Sequence, residues 1–323
     1  MKPATSSAIP PNRTFRYVLI GFFAFFILSF IFVVVAIQHV LGKSSSASFL
    51  GGSDEITLIE IQGPIYQSDD IVRRIKRFKN SSKKALILRL NSPGGAVAPS
   101  QEIYSEVLSA RENKKIVVAS MSSLAASGAY YIAAACDKIV ANPGTLTGSI
   151  GVIAEFPDAS GLLKKVGLNF QTVKSGKFKD TGSFNRPMNP QEREYLQSTI
   201  NDVFGQFLDS VVEGRKKTFQ EKLSKLLARP ADKVTETDIR NFVLPYADGR
   251  VLTGKKAYEL GFIDKLGNYY DAVQLTADLA GIKGEPTVRT DQPVKLDQLL
   301  NGLLPFSWFA KSGSPFQLEY MAF

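Results

Sequence analysis

The sequence predicts an α/β fold with a parallel sheet covered by helices, and three observations support this. Short apolar runs rich in β-branched residues alternate with amphipathic helical patterns. The predicted strands are apolar on both faces, which is typical of a parallel sheet buried between helices. The chain has 323 residues, 44% of them hydrophobic, so it can bury the core of one large domain or two small ones.

The strands are predicted where β-branched or aliphatic residues follow one another between Gly, Pro or polar residues. In chain order the predicted strands cover residues 56–61, 85–90, 116–119, 138–140, 149–152 and 168–173.

The predicted helices lie between these strands. Ser68 is expected to cap a helix whose apolar residues recur at helical spacing. A Gly/Pro turn at 91–95 precedes a second helix, and small residues at 127–136 predict a third. Asn189 and Pro190 are typical of a helix start, and the helix behind them has a long apolar stripe that favours a core or subunit contact.

The N-terminal part contains a long uncharged run, residues 17–37, rich in Phe, Ile and Val. It is long enough to span a bilayer, which needs ~20 residues. We expect an uncleaved anchor, since the apolar region of a cleaved signal peptide covers roughly 7–15 residues. Lys2, Arg13 and Arg16 precede the run, and no acid occurs before Asp54. The positive-inside rule therefore predicts a single-pass protein of the cytoplasmic (inner) membrane, with its N-terminus in the cytoplasm and the domain that follows the anchor extracytoplasmic, in the periplasm.

Five segments follow from these patterns. They are a cytoplasmic segment at 1–16, a transmembrane anchor at 17–41, a Ser/Gly-rich linker at 42–54, an α/β domain at 55–282, and an extension at 283–323 to which no role is assigned.

Composition excludes several kinds of chemistry. The chain has one His and one Cys, and the single His39 ends the apolar run. A Ser-His-Asp triad in the α/β domain and a zinc site of His and Cys ligands are therefore excluded. The formal net charge is +9, and four of the cations flank the anchor: Lys2, Arg13, Arg16 and Lys43. The remaining excess is too small to indicate nucleic acid as a partner.

Three segments combine small residues with reactive ones after predicted strands, where ligands gather in open α/β sheets. In the segment at 91–95, adjacent glycines allow backbone N–H groups to converge on an oxyanion. In the segment at 120–131, Ser127 lies where a strand turns into a helix, and Gly128 can supply a second N–H group. The alternative for Ser127 is a plain helix cap.

The third segment, 173–182, contains three lysines, at 174, 177 and 179. Without imidazole a serine nucleophile needs another base, and a lysine amine is an established substitute. A lysine begins near a pKa of ~10.4, so a neutral base near pH 7 requires a decrease of roughly 3 units, or about 4 kcal/mol.

Four motifs in this order resemble those of signal peptide peptidase A, the S49 family of serine peptidases, in its short single-repeat form. They are Asn91–Gly95, Ala126–Tyr131, Thr147–Val152 and Ser175–Asp180, and Ala247–Gly254 and Ala257–Asp264 add to the likeness. The resemblance covers about residues 55–275. One departure is Ala129, where the family usually has a second Gly after the serine.

The resemblance implies the roles of five residues. Ser127 would be the nucleophile, Lys179 the general base and Ser149 the hydroxyl that orients the lysine amine, while the N–H groups of Gly95 and Gly128 would form the oxyanion hole. It also implies a crotonase-like (ClpP-like) core and a dome-shaped homo-oligomer, with an octamer as one candidate. Released signal peptides would be the substrates, and no metal or cofactor is implied.

Two alternatives stay open at this point. An acyl-CoA-processing crotonase-like enzyme would share the fold and the paired oxyanion amides. A non-catalytic membrane scaffold would have kept the fold and lost activity.

Overall fold

The computed structural model of the protein describes residues 25, 27, 28, 54–291 and 319–321. The chain divides into two compact units, Met1–Gly51 and Gly52–Phe323. The predicted anchor falls outside the described residues, apart from Phe25, Ile27 and Leu28, which are helical and exposed. Among the described residues, no helix has both the length and the apolarity needed to cross a bilayer.

The second unit contains strands and helices in alternation, as the sequence predicts. The strands are β1 (Glu55–Gln62), β2 (Ala85–Ser92), β3 (Gly94–Ala96), β4 (Ile116–Ala126), β5 (Lys138–Ala141), β6 (Leu146–Gly148), β7 (Val251–Thr253), β8 (Lys265–Leu266), β9 (Thr287–Thr290) and β10 (Glu319–Met321). The helices are α1 (Asp69–Lys79), α2 (Val97–Glu112), α3 (Gly128–Ala134), α4 (Ser160–Lys165), α5 (Pro190–Gly214), α6 (Lys216–Leu227), α7 (Glu236–Val243), α8 (Gly254–Leu260) and α9 (Tyr269–Ala280).

The main sheet has eight strands and is mostly parallel. Its main path runs β7-β6-β4-β2-β1-β9, and β5 joins β4 to β8. The long strand β4 is shared along its length: residues 118–121 pair with β5, and residues 124–126 pair with β6. The pair of β6 and β7 is antiparallel. A separate two-stranded sheet joins β10 to β3.

Helices cover both faces of this sheet, and alternate residues of the strands face each layer. Ile59 of β1 and Leu88 of β2 belong to the large cluster that includes residues of α1, α2 and α3. Ile56 and Ile87 belong to a second cluster with residues of α9. All four of these side chains are fully buried. The predicted α/β class is therefore confirmed, because strands buried on both faces require a helical layer on each side.

The predicted strands near the start of the domain and at 116–119 and 138–140 are confirmed. The strand predicted at 149–152 is wrong, because the pairing with β4 ends at Gly148 and the chain turns at Ser149, whose φ is +51°. The strand predicted at 168–173 is also wrong: this stretch is exposed and irregular within the chain.

Two local predictions are corrected in the same region of the fold. The Gly/Pro turn predicted at 91–95 is largely extended, because β2 continues to Ser92 and β3 begins at Gly94. Ser68 precedes α1 as predicted, but its hydroxyl bonds to the Glu102 carboxylate and does not cap the helix. By contrast, α5 begins at the predicted residue, with a capping box formed by Asn189 and Glu192.

Candidate active site

Ser127 lies between the end of β4 and the start of α3, in a strained backbone conformation. Its φ is +54° and its ψ is −120°, a combination that costs a non-glycine residue about 1–3 kcal/mol. Two hydrogen bonds of 2.8 Å hold it there: its N–H donates to the Gly148 carbonyl, and its own carbonyl accepts from the Tyr131 N–H. A serine on a sharp strand-to-helix turn is the arrangement of a catalytic nucleophile.

The hydroxyl of Ser127 is buried and has no hydrogen-bond partner within the described residues. A buried hydroxyl without a partner costs free energy, so such a group in a native fold calls for an explanation. The plain helix-cap role is ruled out for Ser127, since its side chain makes no capping hydrogen bond.

Ser149 lies beside Ser127 across two adjacent parallel strands. Ala126 of β4 is paired with Gly148 of β6, and the two serines are the residues that directly follow these strands. The Ser149 N–H donates to the Arg250 carbonyl at 2.9 Å, and its hydroxyl donates to the Gly249 carbonyl at 3.1 Å. The structure therefore brings these two predicted site residues together.

The backbone carbonyls of Gly249 and Arg250 position Ser149, a role that the sequence does not predict. The segment at 248–250 was part of a motif without an assigned function, and it forms the backbone support under Ser149. The Arg250 guanidinium is paired with the exposed Asp248 carboxylate and lowers the pKa of that carboxyl to about 2. The signal in the sequence is Gly249, because glycine is common at tight turns. In the structure its φ is +86°, a conformation that other residues rarely adopt.

Gly95 is at the position where only a glycine fits. A Cβ atom built on it would lie 2.3 Å from the Ile65 carbonyl oxygen. The neighbouring Gly94 N–H is held by the Ser92 hydroxyl at 3.1 Å. The adjacent glycines therefore allow the backbone of β3 to lie close to the backbone of Ile65. This contact fixes the orientation of the Gly95 peptide group.

Helix α3 is fully buried and begins at Gly128. As the first residue of the helix, Gly128 has an N–H group without an intrahelical acceptor. Tyr130 and Tyr131 fix the helix through their hydroxyls, which bond to the Phe262 carbonyl at 3.0 Å and the Ser210 hydroxyl at 2.7 Å. Ala129, the departure from the family pattern, is fully buried in the main hydrophobic cluster.

Lys179 lies in an exposed turn that begins at Gly176, where its own N–H donates to the Gly176 carbonyl. The turn is anchored to the start of α5 by Arg186. Its guanidinium donates to the Asp180 carboxylate at 3.0 Å and to the Glu192 carboxylate at 2.9 Å. Arg186, with help from Lys174, lowers the pKa of Asp180 well below its usual range.

The structure does not join the two residues that the sequence pairs as a catalytic dyad. Because the Ser127 hydroxyl has no partner among the described residues, the Lys179 amine of the same chain does not hydrogen-bond to it. Ser127, Ser149, Gly95 and Gly128 lie on the buried strand ends and the helix that follows them, whereas Lys179 lies on the exposed turn.

A strained, buried serine at a strand-to-helix turn is typical of the active site of a serine hydrolase. The comparisons with known proteins agree with this class. The peptidase family S49 model matches residues 109–229. A putative protease of Synechocystis is 41% identical over 71% of this chain and 75% of its own length. A putative protease of Methanocaldococcus jannaschii is 32% identical over 82% of this chain and 85% of its own length. The chloroplastic serine protease SPPA of Arabidopsis thaliana is 31% identical over 81% of this chain and 38% of its own length.

The chain belongs to peptidase family S49 and is similar to the signal peptide peptidases of the SppA type. It is a serine peptidase, which settles the open choice against an acyl-CoA enzyme and a non-catalytic scaffold.

Proposed function

We propose that this protein is a membrane-anchored endopeptidase with a crotonase-like core, in which Ser127 is the nucleophile and Lys179 the general base. The observation that carries the proposal is the Ser127 hydroxyl, which is buried on a strained turn beside Ser149 and has no hydrogen-bond partner in the part of the chain that the structure describes. No base hydrogen-bonds to this hydroxyl within the described residues, and because those residues include no histidine, a lysine amine is the available kind of base.

Each of the proposed site residues has a defined role in peptide-bond hydrolysis. The Lys179 amine, as the base, accepts the Ser127 hydroxyl proton while the oxygen attacks the carbonyl carbon of the peptide bond. The N–H groups of Gly95 and Gly128 stabilise the negative oxygen that forms. The Lys179 ammonium then gives its proton to the departing amine, and water hydrolyses the acyl-enzyme with the same lysine as base. Ser149 accepts a hydrogen bond from the lysine and holds its direction.

Lys179 reaches Ser127 from a second copy of the chain. Within one chain, the lysine lies on an exposed turn, and the buried serine hydroxyl has no hydrogen-bond partner among the residues described. The segment around the turn exposes large apolar side chains, which favours burial against another protein surface. These are Leu162, Val166, Leu168, Phe170 and Val173. The site is therefore incomplete without a homo-oligomer, and a dome-shaped assembly such as an octamer supplies the second copy.

The substrates are unfolded hydrophobic peptides, in particular signal peptides after their release in the membrane. Sites enclosed between copies suit short extended peptides and exclude folded proteins. The predicted anchor at 17–41 places the domain beside the bilayer, on its periplasmic side, where such peptides are released.

Mixing two inactive variants tests the dyad and its division between copies. Ser127→Ala and Lys179→Ala, each in the full chain in detergent, are expected to be inactive on a hydrophobic fluorogenic peptide. Dissociated and reassembled at equal ratio, they should recover about a quarter of the wild-type activity, because random assembly gives that share of sites an intact serine and an intact lysine. Lys225→Ala, at an exposed lysine of α6, is the control and should keep full activity.

The other possible results of these experiments test the parts of the proposal separately. Mixtures that stay inactive while the oligomer exchanges subunits would contradict the division between copies. Near-normal activity of Lys179→Ala alone would overturn its role as the base. Labelling of the wild-type protein, but not of Ser127→Ala, by an active-site serine reagent checks the nucleophile separately.

A further inference from the structure

Ser149 is held in a strained conformation by the turn that precedes β7. Its φ is +51°, which a residue with a side chain keeps only where its surroundings fix it. Its N–H donates to the Arg250 carbonyl at 2.9 Å, and its hydroxyl donates to the Gly249 carbonyl at 3.1 Å. The Gly249 N–H in turn donates to the Ile150 carbonyl at 3.0 Å. Three hydrogen bonds therefore join the serine segment to this turn.

The turn and the serine segment are also in close van der Waals contact. A Cβ atom built on Gly151 would lie 3.2 Å from the Gly249 Cα atom. Both carbonyls that hold Ser149 belong to the turn. The conformation of the turn therefore sets the position of the serine.

The Gly249 carbonyl also fixes the direction of the Ser149 hydroxyl. A hydroxyl has one proton to donate and two lone pairs that accept. Because its proton goes to the carbonyl, the Ser149 oxygen can only accept from any further group. A lysine amine carries the N–H donors that such an oxygen accepts. The hydroxyl is thus oriented to receive the base of the proposed function.

An ion pair between the two residues that flank Gly249 closes the turn. The Asp248 carboxylate accepts from the Arg250 backbone N–H at 3.1 Å and, through its two oxygens, from the Arg250 guanidinium at 2.7 and 2.6 Å. A two-point contact of this kind fixes geometry as well as charge. The side chains of Arg250 and Asp248 are 53% and 50% exposed, so the pair contributes little to the stability of the fold. Its effect is on the conformation of the turn.

We propose that Asp248 and Arg250 are positioning residues for the general base and act through Ser149. This role rests on the proposed function for Lys179 and extends it to the turn beside Ser149. The ion pair keeps the Gly249 carbonyl against the Ser149 hydroxyl, and the hydroxyl oxygen then holds the lysine amine in line with the nucleophile. Without the pair the amine loses its direction, which slows the chemical step and leaves peptide binding unchanged.

Variants of Asp248 in the full chain test this role. Asp248→Ala removes every contact of the carboxylate, and we expect it to lower kcat for a hydrophobic peptide about tenfold, with little change in KM or in melting temperature. Asp248→Asn keeps a side-chain oxygen that can accept from the Arg250 N–H, so it should recover part of kcat. Glu259→Ala, which removes another exposed carboxylate of an ion pair, is the matched control and should keep the wild-type kcat.

A double-mutant cycle with Ser149→Ala shows whether the pair acts through Ser149. Residues that act through one another have non-additive effects. Ser149→Ala should lower kcat by itself, and the addition of Asp248→Ala should then lower it no further. Failure of the proposed function shows in other variants, as near-normal activity of Lys179→Ala or as labelling that does not depend on Ser127. The two failures are therefore distinguishable.

Two results would overturn the proposal. One is an unchanged kcat in Asp248→Ala. The other is the same fall of kcat on Asp248→Ala with and without the Ser149 hydroxyl, which would make the effect of the pair independent of Ser149.

Discussion

Ser127 combines two costs that a purely structural residue would avoid. Its φ of +54° is unfavourable for any side chain with a Cβ, and its buried hydroxyl has no hydrogen-bond partner within residues 54–291 and 319–321. The conformation persists because the Gly148 carbonyl and the Tyr131 N–H hold the peptide groups on both sides of it. The fold therefore stabilises a reactive geometry at the expense of local stability.

Replacing Ser127 by glycine should separate strain from chemistry. Ser127→Gly removes the Cβ and should be more stable than Ser127→Ala by about 1 kcal/mol, since relief of strain exceeds the added entropy of the unfolded glycine. Both variants should be inactive. Urea unfolding of the two chains measures the difference, and equal stability would show that the turn carries no strain.

At the scale of elements, the start of α5 carries the turn that holds Lys179. Arg186 bridges Asp180 on the turn to Glu192 in the first turn of α5, and the Glu192 side chain also closes the capping box with Asn189. The hydrogen bond from the Arg186 guanidinium lowers the pKa of the Glu192 carboxyl, which favours the charged form of this bridge. Phe178 stacks on Tyr195 of the same helix, with ring centroids 5.0 Å apart.

Arg186 is expected to act as a positioning residue for Lys179. Arg186→Gln should lower kcat about tenfold or more with little change in KM, because a displaced base slows the chemical step more than peptide binding. Arg193→Gln, an exposed arginine on the same helix, is the control. Partial recovery of kcat in Arg186→Lys would support the role, whereas an unchanged kcat in Arg186→Gln would contradict it.

For the whole molecule, a buried ion pair ties the α5–α6 corner to the sheet. Asp264 accepts hydrogen bonds from Arg215 at 2.7 Å and from the Ile139 N–H of β5 at 2.8 Å. Burial alone would raise the pKa of Asp264, but the charges of Arg215 and Lys138 outweigh it and the pKa is lowered. Asp264 therefore stabilises the fold above the pKa of a free aspartate, near 4, and this contribution is lost as the pH falls through its lowered value.

Asp264→Asn should cost about 3 kcal/mol of unfolding free energy at pH 7, because it leaves Arg215 buried without a counter-charge. The difference from the wild type should shrink as the pH falls below about 4. Urea unfolding at several pH values measures it, with the exposed Asp232→Asn as the control. A difference that is constant from pH 7 to pH 3 would contradict the assignment.

Most of the fold could be predicted because burial repeats with the periodicity of the strand or helix. The strands at 56–61 and 85–90 are apolar on both faces because helices cover both sides of the sheet. The run at 168–173 also contains apolar and β-branched residues, but it is exposed within the chain, because no strand among the described residues pairs with it. The amino-acid composition of a segment indicates that its residues prefer burial, but it does not show which surface buries them.

The candidate site likewise has features that the sequence predicts and features that only the tertiary structure shows. The sequence by itself determined the kind of chemistry: one histidine at the end of an apolar run leaves a lysine as the available base, and small residues after a strand predict a serine at a turn. Only the tertiary structure decided that Ser149 is held by the 249–250 backbone, that Gly95 meets Ile65, and that Glu319–Met321 pairs with β3. These contacts join residues far apart in the chain, and local propensity acts only over a few neighbours, so no local pattern encodes them.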